Sequence, residues 1–327
     1  MTATETAPVT QEPTPEFNQR SSDIFDRWER GELPFRDALQ QLEAMSYEAQ
    51  YNGTVANHGR AELLLGVMQG YRAHLDSSIQ HFERARALFE QVGNRRRAIG
   101  AILNLGESHR MKGNFPRARQ LFRAAYDAAV SLSEIETQAI AVCNEGILLL
   151  GMEHFDSART TLEKARELAS KIDDEHRRDE INCEIYAGLA AAYLKTRQPD
   201  KAWESALAAY DSAKRAGEPL LMGFAQRAIG ETLTRTETLP ANAPKGFDDD
   251  PDEYYRASTE AFQAVKAEGE VARTMYSHAM SLAVRGRSMM AARKLQQAMI
   301  IFTRLGMADD AAKAAHAQMD VLANTGR

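Results

Sequence analysis

A pattern of small and large residues returns along this chain at intervals of about forty residues, and that recurrence limits the folds open to it more than any other feature. Gly66, Gly106 and Gly146 stand forty residues apart. Phe35, Leu75, Phe115 and Phe155 follow the same step. Three residues after each comes a small one: Ala38, Ser78, Ala118, Ala158. Four further on comes a large apolar residue, Leu42, Phe82, Phe122 or Leu162, and three more gives Met45, Ala85, Ala125 or Ala165. The step then slips by four, and Ala190, Ala202, Ala206 and Ala209 take the equivalent places. Gly230 follows with Tyr255, Ser258, Phe262 and Val265, and the last copy is Ala291, Leu295 and Ala298. Self-similarity at this length marks a stacked repeat array.

Offsets of three and four residues put each set on one face of a helix. Strand alternation is missing, and turn signals separate the runs: "QVGN", "KGNFP", "TRQPD", "RAGEP" and "RLGM". In "KGNFP", Gly113 suits a helix end, Asn114 a cap and Pro116 a first turn. Each unit therefore reads as a helix hairpin, with Gly and the small residues letting its two helices approach. One hairpin buries too little apolar surface to fold alone, so stacking must supply the core.

These residues resemble the tetratricopeptide repeat, which places Leu-Gly in its first helix (A) and a small, large, small series in its second (B). Leu65-Gly66, Leu105-Gly106 and Ile229-Gly230 match, together with the helix-B series above. The resemblance covers about residues 20 to 307. The period is nearer forty than the family's usual thirty-four, so each helix should be nearly a turn longer. That longer form resembles the repeats of kinesin light chains and bacterial sensor regulators. Asp26 and Ala279 replace the glycine in the first and last copies. The expected fold is all-α: a right-handed superhelical solenoid of about seven hairpins with a C-terminal capping helix.

The expected organisation is a disordered tail over 1–16, rich in Thr, Pro and Glu, a solenoid over 17–307, and a capping helix and chain end over 308–327. Ala311, Ala315, Met319 and Leu322 give that last helix its apolar face. A long segment at about 236–252 separates the helices of one hairpin. It reads as a surface insertion, or else as cover for the groove or contact for a second subunit. Its "DDDPDE" reads as an acidic turn capping the next helix.

The 327 residues carry a formal net charge of -6, which offers no global attraction to phosphate and argues against a nucleic-acid partner. No apolar run approaches the roughly 20 residues that span a bilayer. The N-terminus lacks the basic start and apolar stretch of a signal peptide, so a cytoplasmic, non-membrane protein is expected. Cys143 and Cys183 fall in apolar helical runs and read as buried thiols. The eight histidines are scattered, and the sequence contains no phosphate-binding glycine loop, His-Glu-x-x-His or nucleophile elbow. His109 and His154 read as structural or solvated. The expectation is therefore no enzyme activity, no cofactor and no metal. Arg95, Arg96 and Arg97 form a small basic cluster at a turn, open either to an anionic contact or to solvent.

A curved stack presents its A helices on the concave side. The register places Asn104, Asn144, Glu107, Arg110, Tyr71, Arg227, Glu231, Arg235 and Tyr276 there. In peptide-binding members of the family an Asn at the matching place grips the ligand backbone, and Asn104 and Asn144 match it. Asn suits that work because its amide both donates and accepts. Arg110, Arg227 and Arg235 are placed to pair with an acidic segment, or else Glu107 and Glu231 neutralise them. The expected function is a scaffold or adaptor binding a peptide or extended protein segment. The alternative is a regulatory sensor whose repeats bind a small peptide or metabolite and control a partner protein. A homo-oligomer is possible through a weak terminal repeat, where Met289, Met290 and Met299 read as core rather than surface.

Overall fold

The computed structural model describes residues 11–236, 238–241 and 243–323. Among them the regular structure is fifteen α-helices with no strand. They form seven antiparallel hairpins: α1 (Pro15–Glu29) with α2 (Phe35–Asn52), α3 (Val55–Tyr71) with α4 (Leu75–Gln91), and α5 (Arg95–Met111) with α6 (Phe115–Ser131). The next are α7 (Ile135–Gly151) with α8 (Phe155–Ala169), α9 (Glu175–Lys195) with α10 (Pro199–Ala216), α11 (Pro219–Thr236) with α12 (Pro251–Ala264), and α13 (Glu268–Val284) with α14 (Ser288–Arg304). A last helix, α15 (Ala308–Ala323), closes the stack. No helix among the described residues is long and apolar enough to cross a membrane.

The repeated small positions are where the helices meet. Ala38, Ser78, Ala118, Ala158, Ala202, Ser258 and Ala291 have no exposed surface. A methyl group built on Gly106 would lie 2.5 Å from the Phe122 ring. Gly66 stands in the same relation to Phe82, and Gly146 to Leu162, each at 2.6 Å. The glycines therefore let helix A rest directly on the large residue of helix B. Phe122 also meets Ala141 and Leu148 of the next hairpin, so each such residue ties two repeats together. Burying a side chain of that size contributes about 1.5–3 kcal/mol. Ser78 donates its hydroxyl to the Gly66 carbonyl at 2.9 Å, which satisfies a buried polar group within the same contact.

The sixth hairpin departs from the expected register. Phe262 packs on Gly223 (2.7 Å to a built methyl), while Gly230 meets Tyr255 (3.2 Å). Ser258 bonds the Gly223 carbonyl at 2.8 Å, repeating the Ser78 contact. Helix B is thus displaced along helix A by the seven residues between Gly223 and Gly230, about two helical turns. The long connection permits this displacement, because it does not force α12 to begin beside the end of α11.

That connection folds onto the outside of the stack. Phe247 packs edge-on against Trp203 and Tyr210 of α10, at 6.2 and 5.2 Å between ring centres. Leu239 and Ala243 join the same cluster. It therefore lies on a B helix, away from the concave face. Asp250 caps α12, accepting from the Asp252 backbone N–H at 2.9 Å. Asp252 receives hydrogen bonds from Arg285 and from Arg287 (3.1 Å) and one shared with His278 (2.9 Å), so the acidic turn is bound into the seventh hairpin.

Residues 1–10 of the expected tail lie outside the described residues. Residues 11–14 are packed. Asn94 donates its amide to the Gln11 carbonyl (2.9 Å) and to the Glu12 carboxylate (2.8 Å). The Thr14 N–H reaches Asn57 Oδ1 at 2.8 Å, and the Thr14 hydroxyl caps α1. Arg97 pairs with Glu12 at 2.7 Å and Arg96 with Glu134 at 3.2 Å, so two of the three clustered arginines are paired. Asn114 stands at the start of α6 but makes no capping bond, whereas Asn94 caps α5 by accepting from the Arg97 N–H at 3.1 Å.

The superhelix closes on itself. Arg72 pairs with Glu268 at 3.2 Å, and Ala73 and Leu75 share one buried cluster with Ala272, Phe302, Leu305 and Met307. Lys313 of α15 donates to the Gly151 carbonyl at 2.7 Å. Gly113 combines a left-handed backbone (φ 83°) with close approach, since a methyl there would stand 3.1 Å from Asp309 Cβ. The seventh hairpin and α15 therefore rest on the turns that follow α3, α5 and α7. The buried face of α15 differs from the expected one: Ala314 packs in the closing cluster and Ala317 and Val321 in the cluster with the seventh hairpin, while Met319 and Leu322 are 62% and 45% exposed. Met289 and Met290 are also exposed rather than core, at 59% and 54%, while Met299 is half-buried against the closing cluster.

Candidate functional site

The inner wall of the superhelix is built from A helices, and residues three or four apart on them share a face. On α5 this brings together Asn104, Glu107 and Arg110. Arg110 grips Glu107 with two donors, one at 2.7 Å. The Asn104 amide donates to the carbonyl of Gly100 in its own helix at 3.1 Å. Across the channel, Arg227 of α11 and Arg273 of α13 both donate to Glu270, the first at 2.7 Å. Arg273 also reaches Asp310 of α15 at 3.0 Å. Three helices are thus joined by one chain of alternating charge. Burial opposes the charged form of Glu270, but Arg227 and Arg273 outweigh it and hold its carboxyl at about 2. The same carboxylates raise the guanidinium of Arg273 above its ordinary value against the effect of burial.

The arginines expected to face a ligand are therefore largely neutralised from within. Arg110 is paired as the second sequence reading supposed. Arg227 takes Glu270 rather than Glu231 and lies 5.4 Å from the ring centres of both Phe224 and Phe262. Glu231 instead accepts from the Ser277 hydroxyl at 2.6 Å. Arg235 is exposed at the end of α11. Tyr71 packs edge-on to Trp28 at 5.4 Å and joins the cluster around Phe262 and Val271, bridging the first and sixth hairpins. Tyr276 is half-buried among α14 and α15 residues, where burial, then Glu153 and Asp310, push its phenol above its usual range.

Between α7, α9 and the start of α11 the wall opens into a cavity of about 220 Å³. Asn144 lines it, as do Ile140, Ile181, Leu220 and Leu221, with Arg177, Glu180, Glu184 and Glu218 supplying charge. Arg177 is already committed, to Glu136 at 2.6 Å and to Glu180. Glu184 is not bonded to any described residue. Burial pushes its carboxyl up to about 7, helped by Glu107, Glu270 and Glu218 and opposed by Arg110. Burial and Glu180 likewise raise Glu218 above the usual carboxylate range. At the mouth, donor atoms of His176, Glu180 and Glu218 lie within 4.8 Å of one another. That spacing is within reach of one divalent cation, but Arg177 already holds Glu180 and its charge opposes a second cation there.

The sequence reading placed none of Glu184, Glu270, Arg273 and Asp310 in the groove, and gave Asp310 only to the first turn of the terminal helix. A signal for two of them exists, since counting six back from Ala190 and Ala279 gives Glu184 and Arg273. The weighed positions began one turn too late. Cys143 and Cys183 are buried free thiols as read, with Cys183 donating to the Leu221 carbonyl at 3.3 Å.

The tetratricopeptide-repeat family matches residues 98–171, which span the third and fourth hairpins. Those two hairpins are tetratricopeptide-type repeats. No curated protein sequence matches the chain significantly. Among solved structures, the repeat stack is similar to a Rap protein complexed with competence and sporulation factor (TM-score 0.58, 12% identity, covering 94% of this chain and 97% of that one). It is also similar to the apo form of RapI (TM-score 0.64, 11% identity, 89% and 97%). A third is NprR in complex with its cognate peptide NprX (TM-score 0.59, 10% identity, 94% and 87%). At these identities the likeness is one of fold, and it spans nearly the whole tetratricopeptide-type stack.

Proposed function

We propose that the concave channel binds a peptide or an extended segment of another protein, by equilibrium recognition without bond chemistry. The observation that carries this reading is the cavity beside Asn144. There the inner wall leaves a concave space and two polar side chains, those of Asn144 and Glu184, with no hydrogen-bond partner among the described residues. Both are half-buried in the wall, so an incoming backbone or side chain can bond them without displacing a partner within the fold. Similar folds in complexes with competence and sporulation factor and with NprX support a peptide-sized ligand. In this reading Asn144 holds the ligand backbone. Asn104 joins it by giving up its bond to Gly100, and Glu107, Arg110, Arg227, Glu231 and Arg235 set the charge along the channel. Tyr71 and Tyr276 contribute through the packing that shapes the wall.

The test is the double change Asn104→Ala, Asn144→Ala, read by affinity purification with mass spectrometry from the native host. Loss of a co-purifying protein or peptide is expected. Recovery of the same partners in the same amounts would remove the asparagines from the site.

The closure of the superhelix favours a second reading, a sensor that controls a partner protein. The last hairpin and α15 are held to the earlier turns partly by single polar contacts, Arg72 to Glu268 and Lys313 to Gly151. A ligand that widens the channel would loosen them. A change in the X-ray scattering radius on peptide binding identifies the sensor; an unchanged radius with peptide bound identifies the scaffold.

A further inference from the structure

We infer that the cavity between α7, α9 and the start of α11 is a subsite for one basic side chain, lysine or arginine, of the bound segment. This inference rests on the peptide-binding reading above.

Its size comes first. At about 220 Å³ the cavity falls below the roughly 300–1,000 Å³ of sites that take whole drug-sized ligands, so it suits a single long side chain. Its walls are of two kinds. Ile140, Leu220 and Leu221 offer an apolar face, while Glu184 and Glu218 present carboxyl groups. A lysine or arginine side chain has the same division, an apolar stem with a charged head.

Charge points the same way. Glu136, Glu180, Glu184 and Glu218 gather at this part of the wall against two guanidinium groups, Arg177, which Glu136 and Glu180 already occupy, and Arg110, which Glu107 holds. An acidic or neutral side chain would leave Glu184 buried without a partner, and a cationic head would supply one. This reverses the preference expected from the arginines, because Arg110 and Arg227 are already engaged by Glu107 and Glu270.

The groups facing Glu184 are Glu107 and Arg110 of α5, Asn144 of α7, Arg177 and Glu180 of α9, Glu218 before α11, and Glu270 of α13. Burial, helped by Glu107, Glu270 and Glu218 and opposed by Arg110, raises its carboxyl to about 7, so it is partly protonated near neutrality. A bound cation would favour the ionised form, so binding releases that proton to solvent.

The experiment uses the full-length protein and an end-capped hexapeptide library. One position is fixed as lysine, arginine, norleucine or glutamate, and the others are randomised. The expected result is about tenfold or greater enrichment of the lysine and arginine pools over norleucine, reduced to about twofold or less in Glu184→Gln. A second measurement does not depend on that variant folding. For a lysine peptide selected on the parent protein, affinity should rise about tenfold between pH 6 and pH 8, as a group titrating near 7 requires. The norleucine analogue should show no such rise. Peptides enriched without basic preference would overturn the subsite and leave the peptide-binding reading standing. A pH-independent lysine peptide would do the same. A library from which nothing is enriched would overturn both.

Discussion

Replacing Gly106 by Ala adds one methyl group at the closest helix contact of the third hairpin. In the structure that carbon would lie 2.5, 2.8 and 3.2 Å from three atoms of the Phe122 ring. Carbon atoms rest at about 3.5–4.0 Å, so α5 and α6 must part by roughly 1 Å or the ring must turn. The ring has little room to turn. Phe122 is 1% exposed and packs against Ala141 and Leu148 of the next hairpin. Overpacking of this kind costs about 1–3 kcal/mol. Against it stands the gain of about 1 kcal/mol from removing a glycine inside a helix. The net expectation is about 0–2 kcal/mol of destabilisation, too small a window to judge alone. Gly100 supplies the control. It lies in the same helix, and a methyl there meets nothing within 4 Å. Gly100→Ala should therefore stabilise by about 1 kcal/mol. The difference between the two variants cancels the helix preference and isolates the packing cost, about 1–3 kcal/mol. Urea unfolding followed by far-ultraviolet circular dichroism measures it, provided the two variants share one slope with denaturant. A Gly106→Ala midpoint equal to or above that of Gly100→Ala would refute the claim that helix contact selects this glycine.

Glu270→Gln leaves Arg227 and Arg273 facing a neutral amide in the channel wall. Breaking a buried pair in this way costs about 3 kcal/mol or more, and a shift below about 0.5 kcal/mol in the same urea assay would show that the charge chain is not structural. His278 sets a pH dependence. Burial, then Lys294, lowers its imidazole to about 4 despite Asp252, whereas an unfolded histidine titrates near 6.5. Between those values the unfolded chain binds a proton that the folded chain does not. The contribution of His278 is therefore complete above about pH 6.5 and is lost as the pH falls toward 4. Thermal melts at pH 7 and pH 5 should show a larger acid loss in the parent than in His278→Gln, and equal losses would contradict the buried, neutral imidazole.

Much of the architecture was legible in the sequence because its cause is local. Gly66, Gly106 and Gly146, each facing a large residue of its own hairpin, encode a helix contact in residues that lie close along the chain. The same rule misjudged Gly230, since a long connection relaxes the constraint that ties helix B to one place on helix A. Asn144 lines the cavity from the helix face on which the repeat places it. Asn104 follows the repeat equally, yet its amide is taken up by Gly100, a choice that periodicity cannot express. Met289 and Met290 were misread as core because apolar character says what a residue tolerates, not which way its helix is turned.

The sequence by itself determined that the chain folds as stacked helix pairs, because hydrophobic spacing and small-residue contacts act within one repeat and its neighbour. The tertiary structure alone decided the character of the inner wall. Arg227 meets Glu270 and Arg273 meets Asp310 across neighbouring units of the stack, while Lys313 meets Gly151 only because the superhelix curls far enough to bring its last helix back to an earlier repeat. That curvature is the sum of small rotations over seven hairpins, a quantity no single repeat contains.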